Sequence, residues 1–471
     1  MEKYAFDGKI LIVGFGSIGQ GVLPLILRHF SAPPERITIV TADKRGEDVA
    51  REYGVRFIID PLLPHNHQDI VRSHIGPGDF LVNVSVDVSS AALIEHCQRR
   101  NILYLDTVIE PWAGTYTDSK LSMSARSNYA LREEVLKLRA LSLEGPRPTA
   151  VLAHGANPGL VSHFVKQALL NIAADTGVKV EAPSTQQEWA KLAQDLGIKV
   201  IHIAERDTQE SPVPKKIGEF VNTWSIDGFH SESCQPSEMG WGTHEKKLPE
   251  GGHEHDFGCG AAIYLEQPSF MTTARSWTPT AGAQYGWVVT HHESISIADY
   301  LTLKEGEKVA YRPTVHYAYH PCDGAVLSLE ELAANNGVLQ KEQRLISEDI
   351  LQGGVDELGV LLMGHAKGAY WYGSRLSIDD ARKLASHNNA TGLQVTASII
   401  GAMVWAIQNP TKGLVDADEI DHQVLMSVAR PYLGEMIGVY SDWTPIQGRG
   451  TLFPEQFDAE DPWQFENFRV T

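Results

Sequence analysis

From Lys9 to about Val165 the chain alternates short β-branched runs with amphipathic stretches, and Gly, Pro or a capping residue marks each switch. The runs predict strands over 10–13, 36–40, 55–59, 80–84, 102–105 and 150–153. The stretches between them predict helices over 17–28, 47–53, 68–74, 89–99 and 124–141. A βαβ series of this kind packs most economically as a doubly wound parallel sheet. After about Gly177 the pattern changes to strand-like runs with few helices between them, at 258–265, 269–277, 284–291, 295–303, 311–320, 359–365 and 369–376. They predict a mostly antiparallel sheet, hence a second unit of α+β type. The stretch from Glu232 to His255, rich in Gly, Glu, His and Pro, reads as a long loop. Helical patterns return over 379–386, 392–408 and 419–429, before an aromatic, irregular tail. The expected division is a dinucleotide-binding domain at 1–165, a substrate-binding and dimerisation domain at 166–387, and C-terminal helices and tail at 388–471 packing back on the first domain.

Composition adds exclusions. With 471 residues, 43% of them hydrophobic and 21% charged, the chain is far from a disordered composition. The formal charge of −19 disfavours nucleic acid and anionic lipid as partners, and would draw in a small cation. The four cysteines are scattered with no C-x-x-C pair, so reduced thiols in a cytoplasm are expected. The start runs straight into a strand pattern and reads as carrying no export signal. The uncharged stretch from Asn388 to Thr411 holds several polar residues and reads as a buried helix, not a membrane span.

Gly14, Gly16 and Gly19 form G-x-G-x-x-G, with Ser17 and Ile18 between them, directly after the first strand and at the start of the first helix. Backbone amides and a helix N-terminus there can hold a pyrophosphate. Asp43 ends the second strand, where a carboxylate accepts from the adenine ribose and favours NAD; Lys44 and Arg45 beside it keep NADP open. Ser85 and Asp106 end the next strands, at the sheet edge where ligands lie. Asp87 and Ser89 read as caps of the following helix. Asn157, in the turn His154 to Gly159, can hydrogen-bond a nicotinamide amide or a substrate amine, or cap a helix with Pro158 at its first position.

Glu205, Asp207, Glu210, Trp224, Asp227, Glu232 and Glu238 follow one another in the second unit, near His230, Trp241 and His244. Carboxylates and an aromatic face suit an ammonium, although the same residues also make an ordinary solvated surface around a core Trp. His244, Glu245, His253, His255 and Asp256 have ligand chemistry but irregular spacing, and no metal is assigned. His291, in His291-His292-Glu293, offers a proton-transfer group. Serine-hydrolase elbow, zincin and P-loop motifs are absent from the sequence, which leaves hydride chemistry.

GFGSIGQGVLPLILRHF at 14–30, YLDTVIEPW at 104–112, AHGANPGLVSHF at 153–164, HIAERDTQ at 202–209, FVNTWSIDGF at 220–229 and MGHAKGAYWYGSRL at 363–376 together resemble the bacterial homospermidine synthase family, within the saccharopine dehydrogenase-like group. The resemblance runs along nearly the whole chain. It implies a homodimeric enzyme that joins two putrescine molecules, or related diamines, into homospermidine and ammonia, with NAD recycled: amine oxidation, imine exchange, re-reduction, no net redox. It also implies that Trp224 faces the cationic centre by cation–π attraction and that Glu205 and Glu232 hold amino groups. Asn157 and His291 would complete the site, and Asp356 would lie near its entrance. The readings left beside it are a saccharopine- or carboxynorspermidine-type dehydrogenase with net NAD(P)H turnover, and a non-catalytic NAD-binding sensor.

Overall fold

A computed structural model describes residues 3–470 apart from 117, 144 and 180. Its first half is the expected alternation: β1 (Ile10–Val13), α1 (Ser17–His29), β2 (Ile37–Thr41), α2 (Glu47–Glu52), β3 (Arg56–Ile59), α3 (His67–His74), β4 (Phe80–Asn83), α4 (Ser90–Arg100), β5 (Leu103–Asp106), α5 (Asn128–Leu136), β6 (Ala150–Leu152) and α6 (Leu160–Thr176). These strands form a parallel sheet in which β4 and β2 flank β1, so the switch point lies between β1 and β4, at whose carboxyl ends a ligand crevice opens. β1 is the run Ile-Leu-Ile-Val, buried along its length as a strand covered on both faces must be. The helix expected over 124–141 is broken into 3₁₀ turns at Ser124–Arg126 and Lys137–Ala140 around α5.

The sheet has a seventh strand, Leu414–Asp416, which pairs with β6 and comes from the far end of the chain. The helix Ala390–Gln408 before it packs on α1, where the absence of a side chain at Gly21 lets Asn388 Nδ2 donate to the Gly21 carbonyl at 3.0 Å. This helix is apolar and long enough to cross a bilayer, and most of it is buried inside the protein. The tail departs from expectation: Glu435–Ser441 and Arg469–Val470 add strands to the second sheet, not to the first unit.

That second sheet is mixed. At its centre Val200–Asp207 runs parallel to Thr314–His320 on one side and antiparallel to Val355–His365 on the other. α6 covers the strands Val355–His365 and Gly368–Ser377. Two expectations fail here. The run 295–303 is a helix, His292–Tyr300, whose Ser294 to Ala298 are all buried; a helix buried all round loses the periodicity that would distinguish it from a strand. The stretch from Glu232 to His255 is not one loop but contains the end of the helix Ile226–Cys234 and the strands Pro236–Gly240 and Gly252–Glu254.

Candidate active site

The G-x-G-x-x-G loop has the geometry of a phosphate cradle. Gly14 sits at φ +85, and a Cβ there would come within 2.7 Å of the Ser85 backbone, so glycine is required by both conformation and space. A Cβ on Gly19 would lie 2.9 Å from the Gly14 carbonyl oxygen, whereas one on Gly16 would meet nothing within 4 Å. The open space is at the exposed Gly16, beside half-buried Ser17 and Ile18 at the N-terminus of α1, where backbone N–H groups lack helical partners. This is what a pyrophosphate needs. Asp43 lies two residues beyond the end of β2 rather than at its end, and its carboxylate accepts from Arg45 N and Nε, each at 2.8 Å, so it holds the basic residue beside it. Ser85 is half-buried in the same crevice and donates to Asn83 Oδ1 at 2.6 Å.

Asp106 does not face the crevice as expected. It is fully buried and accepts from Tyr104 Oη at 2.8 Å and Ala153 N at 2.6 Å, so it fixes the turn after β6 rather than presenting an oxygen to a ligand. That turn carries Asn157, but Asn157 is not a helix cap: α6 starts at Leu160 behind Gly159, and the Asn157 side chain reaches towards Glu205, with Nδ2 to Oε2 at 3.4 Å. Ser89 does cap α4, while Asp87 stands exposed at φ +61.

The facing wall comes from the second sheet. Ladder register places Glu205 between Tyr319 and Leu358, and pairs Asp207 with Asp356; alternate residues share a face, so the carboxyls of Glu205, Asp207 and Asp356 gather on one side with Tyr317 and Tyr319. Tyr317 Oη donates to Glu205, and the two tyrosine rings stack at 5.2 Å. Trp224 Nε1 donates to Tyr319 Oη at 3.2 Å. Asp207 is saturated by Gln209 N at 2.8 Å and Thr223 Oγ1 at 2.7 Å. Asp356 accepts from Thr391, and its carboxyl shares a hydrogen bond with that of Glu205. Asp356 therefore lies in the buried depth of the site, not at its entrance.

These three acids are at most 2% exposed, and among the described residues no Lys or Arg is hydrogen-bonded or ion-paired to them. Burial pushes Glu205 up to about 8 and Asp207 up to about 6, and it holds Asp356, beside both of them, well above the carboxylate range. On the opposite side, His291 Nε2 meets Glu232 Oε2 at 2.9 Å and Nδ1 meets Glu293 Oε1 at 3.2 Å. Burial alone would depress the imidazole, but Glu293 and Glu232 outweigh it and hold His291 protonated well above its ordinary range. Its ring lies 4.6 Å from that of Tyr317, which joins the two groups into one site.

Sequence reading missed Tyr317, Tyr319, Glu293 and Glu110. The tyrosines alternate in Thr-Val-His-Tyr-Ala-Tyr-His, so a period of two places them on one face. Glu110 is buried and raised to about 8, by burial first and then by Glu232 and Asp87. Conversely, the acidic stretch 205–238 is dispersed by the fold. Glu210 and Asp227 are exposed, and Glu238 is buried under the N-terminus of α5, accepting from Asn128 N at 2.8 Å and Tyr129 N at 3.1 Å. Of the residues with ligand chemistry, His244 bonds the Trp463 carbonyl, His253 bonds Glu266, and His255 stacks on Tyr129.

Comparison with known proteins identifies this arrangement. Residues 10–146 match the saccharopine dehydrogenase NADP binding domain and residues 155–441 the saccharopine dehydrogenase C-terminal domain. A homospermidine synthase from Blastochloris viridis is 52% identical over 471 residues, which cover 99% of this chain and 98% of the relative. The chain belongs to the homospermidine synthase family. A second homospermidine synthase, from Mesorhizobium japonicum, is 49% identical over 98% of this chain and 96% of its own. The crystal structure of the homospermidine synthase of Legionella pneumophila in complex with NAD superposes with a TM-score of 0.93 at 49% identity, covering 100% of this chain and 99% of that one. The likeness to these three homospermidine synthases thus runs over the whole length of the chain.

Proposed function

We propose that this chain is an NAD-dependent homospermidine synthase that joins two putrescine molecules with release of ammonia. The observation that carries the reading is the set of buried acids Glu205, Asp207 and Asp356, with which no Lys or Arg among the described residues is paired, set against Trp224, Tyr317 and Tyr319. A diamine supplies the missing charge and an aliphatic middle suited to aromatic walls. A carboxylate-bearing substrate of the saccharopine type would instead want a guanidinium there.

The loop from Gly14 to Gly19 and Asp43 would hold the cofactor, NAD in keeping with the name of the Legionella complex. When bound, NAD takes hydride from the amine-bearing carbon and returns it after the amines have exchanged. Everything else falls to the protein. Glu205 and Asp356 exchange their protons for an ammonium end and fix the length of chain that reaches the crevice. Trp224, with Asn157 beside Glu205, faces the carbon on which positive charge develops, and Glu205 supplies a preorganised negative field there. His291 already carries its proton, so Glu232, whose Oε2 lies 2.9 Å from the imidazole Nε2, is the group left to take the proton from the reacting ammonium. The proposal includes a homodimer in a reducing cytoplasm, in keeping with four free thiols; light scattering of the eluted protein checks the dimer.

The test is incubation of purified protein with putrescine and a small amount of NAD, with products identified by mass. Homospermidine and ammonia in large excess over NAD are expected. Stoichiometric accumulation of NADH would indicate a dehydrogenase, and absence of any product a binding protein.

A further inference from the structure

Behind His291 lies a buried ion cluster that the proposed chemistry does not use. His292 Nε2 is 2.8 Å from Asp416 Oδ1, and Asp416 Oδ2 accepts from Arg132 Nη2 at 2.8 Å. The same guanidinium reaches Asp299 Oδ2 at 2.9 Å. The side chains of Arg132, Asp416 and His292 are 4%, 4% and 3% exposed, that of Asp299 32%. Three separate pieces of chain meet here: α5, the seventh strand of the nucleotide sheet, and the helix His292–Tyr300 through its first and last turns. His292 and Asp299 are two helical turns apart on one face, so the cluster staples that face to the nucleotide-binding unit.

Burying the Arg132–Asp416 ion pair is a poor way to gain stability, since the same volume of apolar side chains does as well or better. What the cluster does fix is geometry. Arg132 orients the Asp416 carboxylate so that its other oxygen meets His292, and the pull of Arg132 and His292 overcomes burial to keep Asp416 ionised. His291 is the residue immediately before His292, with its ring held between Glu232 and Glu293 and against Tyr317. One peptide unit, ~3.8 Å between Cα atoms, leaves little slack between the two imidazoles.

We infer that Asp416 is a positioning residue: supplied by the returning C-terminal chain, it anchors His292 and thereby sets His291 against Glu232 and the reacting amine. The inference rests on the homospermidine synthase reading. It is tested on the full-length, NAD-loaded protein by comparing the wild type with Asp416→Asn, Asp416→Glu and Asp299→Asn, at a temperature where all are folded. Asp416→Asn should lower kcat by about ten- to a hundredfold with NAD occupancy and the KM for putrescine little changed, because a displaced reacting group costs turnover rather than binding. Asp416→Glu should recover part of the loss. Asp299→Asn takes a carboxylate from the same guanidinium without touching His292, and should keep wild-type kcat. Wild-type kcat in folded Asp416→Asn overturns the inference, as does an equal loss in Asp299→Asn. Should Asp416→Asn fail to fold, His292→Phe cuts the same link and leaves Arg132 paired with Asp416; the same fall in kcat supports the inference and wild-type kcat overturns it. Wild-type protein that makes no homospermidine refutes the functional reading instead.

Discussion

Trp224 is the residue at which packing and catalysis make different demands on one side chain. It is half-buried, its indole N–H donates to Tyr319 Oη at 3.2 Å, and its ring tilts at 45° against Phe229 with centroids 5.1 Å apart. Truncating a fully buried Trp to Ala costs ~3 to 5 kcal/mol, so a half-buried one loses roughly half of that, plus about 1 kcal/mol for the hydrogen bond. Those losses appear in the melting temperature. A desolvated cation–π contact with the reacting centre is worth ~2 kcal/mol, and it appears as roughly a thirtyfold fall in kcat/KM. Trp224→Phe keeps a smaller π-face and most of the packing but abandons the Tyr319 oxygen. The expected order of kcat/KM is therefore Trp, Phe, Ala, measured per folded site, with Phe close to wild type in melting temperature and well below it in turnover. Activity in proportion to the folded fraction across all three proteins would refute the clamp and leave Trp224 as packing.

Glu205→Gln removes a group that in the ligand-free protein keeps its proton up to about pH 8, whereas the same group in the unfolded chain loses it near 4.5. The native form then binds more protons across that window, so the contribution of Glu205 to stability is present below pH ~4.5 and lost as pH rises through about 8. The melting temperature of Glu205→Gln minus that of the wild type should rise between pH 5 and pH 8, with putrescine flattening the difference; no change with pH would reject it. Gly16→Val places a side chain in the open space at the start of α1, so the protein should fold normally and fail to retain NAD, as read by bound-nucleotide absorbance. Glu232→Gln takes away the proposed proton acceptor and one of the two charges that hold His291 protonated. Turnover should collapse with the fold intact, and the His291 ring signal in NMR should titrate at lower pH than in the wild type.

The nucleotide-binding half was readable because its central strands, β1, β4 and β5, are short runs buried along their length, and the carboxyl ends of such strands are where ligands lie. The substrate wall was readable only in part. Glu205 and Trp224 stand out by type, but what makes Glu205 unusual is Asp356, brought beside it by an antiparallel register that no local pattern encodes. The seventh strand, Leu414–Asp416, was invisible for the same reason: three residues long, it is a strand because β6 is there to pair with. Local density of acidic residues proved a weak guide, since Glu238 went to a helix N-terminus and Glu210 to the surface.

The same physics explains how a site can hold so much unpaired acid and still fold. Isolated carboxylates buried at this depth would cost far more than the few kcal/mol by which a domain is stable, so the empty protein does not bury them as charges. Glu205 and Asp356 retain protons, and Asp207 is stabilised by Gln209 and Thr223. Charge enters only with the ligand. On the proposed reading a diammonium ion would bring its own positive charge and displace the protons, so the attraction that binds it would be switched on by its arrival and need not be maintained beforehand. A neutral ligand of the same shape without a basic nitrogen, such as a diol, would find protonated acids with no reason to ionise. Selection for a cation thus follows from burial of the acids, and the aromatic walls of Trp224, Tyr317 and Tyr319 supply the apolar surroundings that keep them buried.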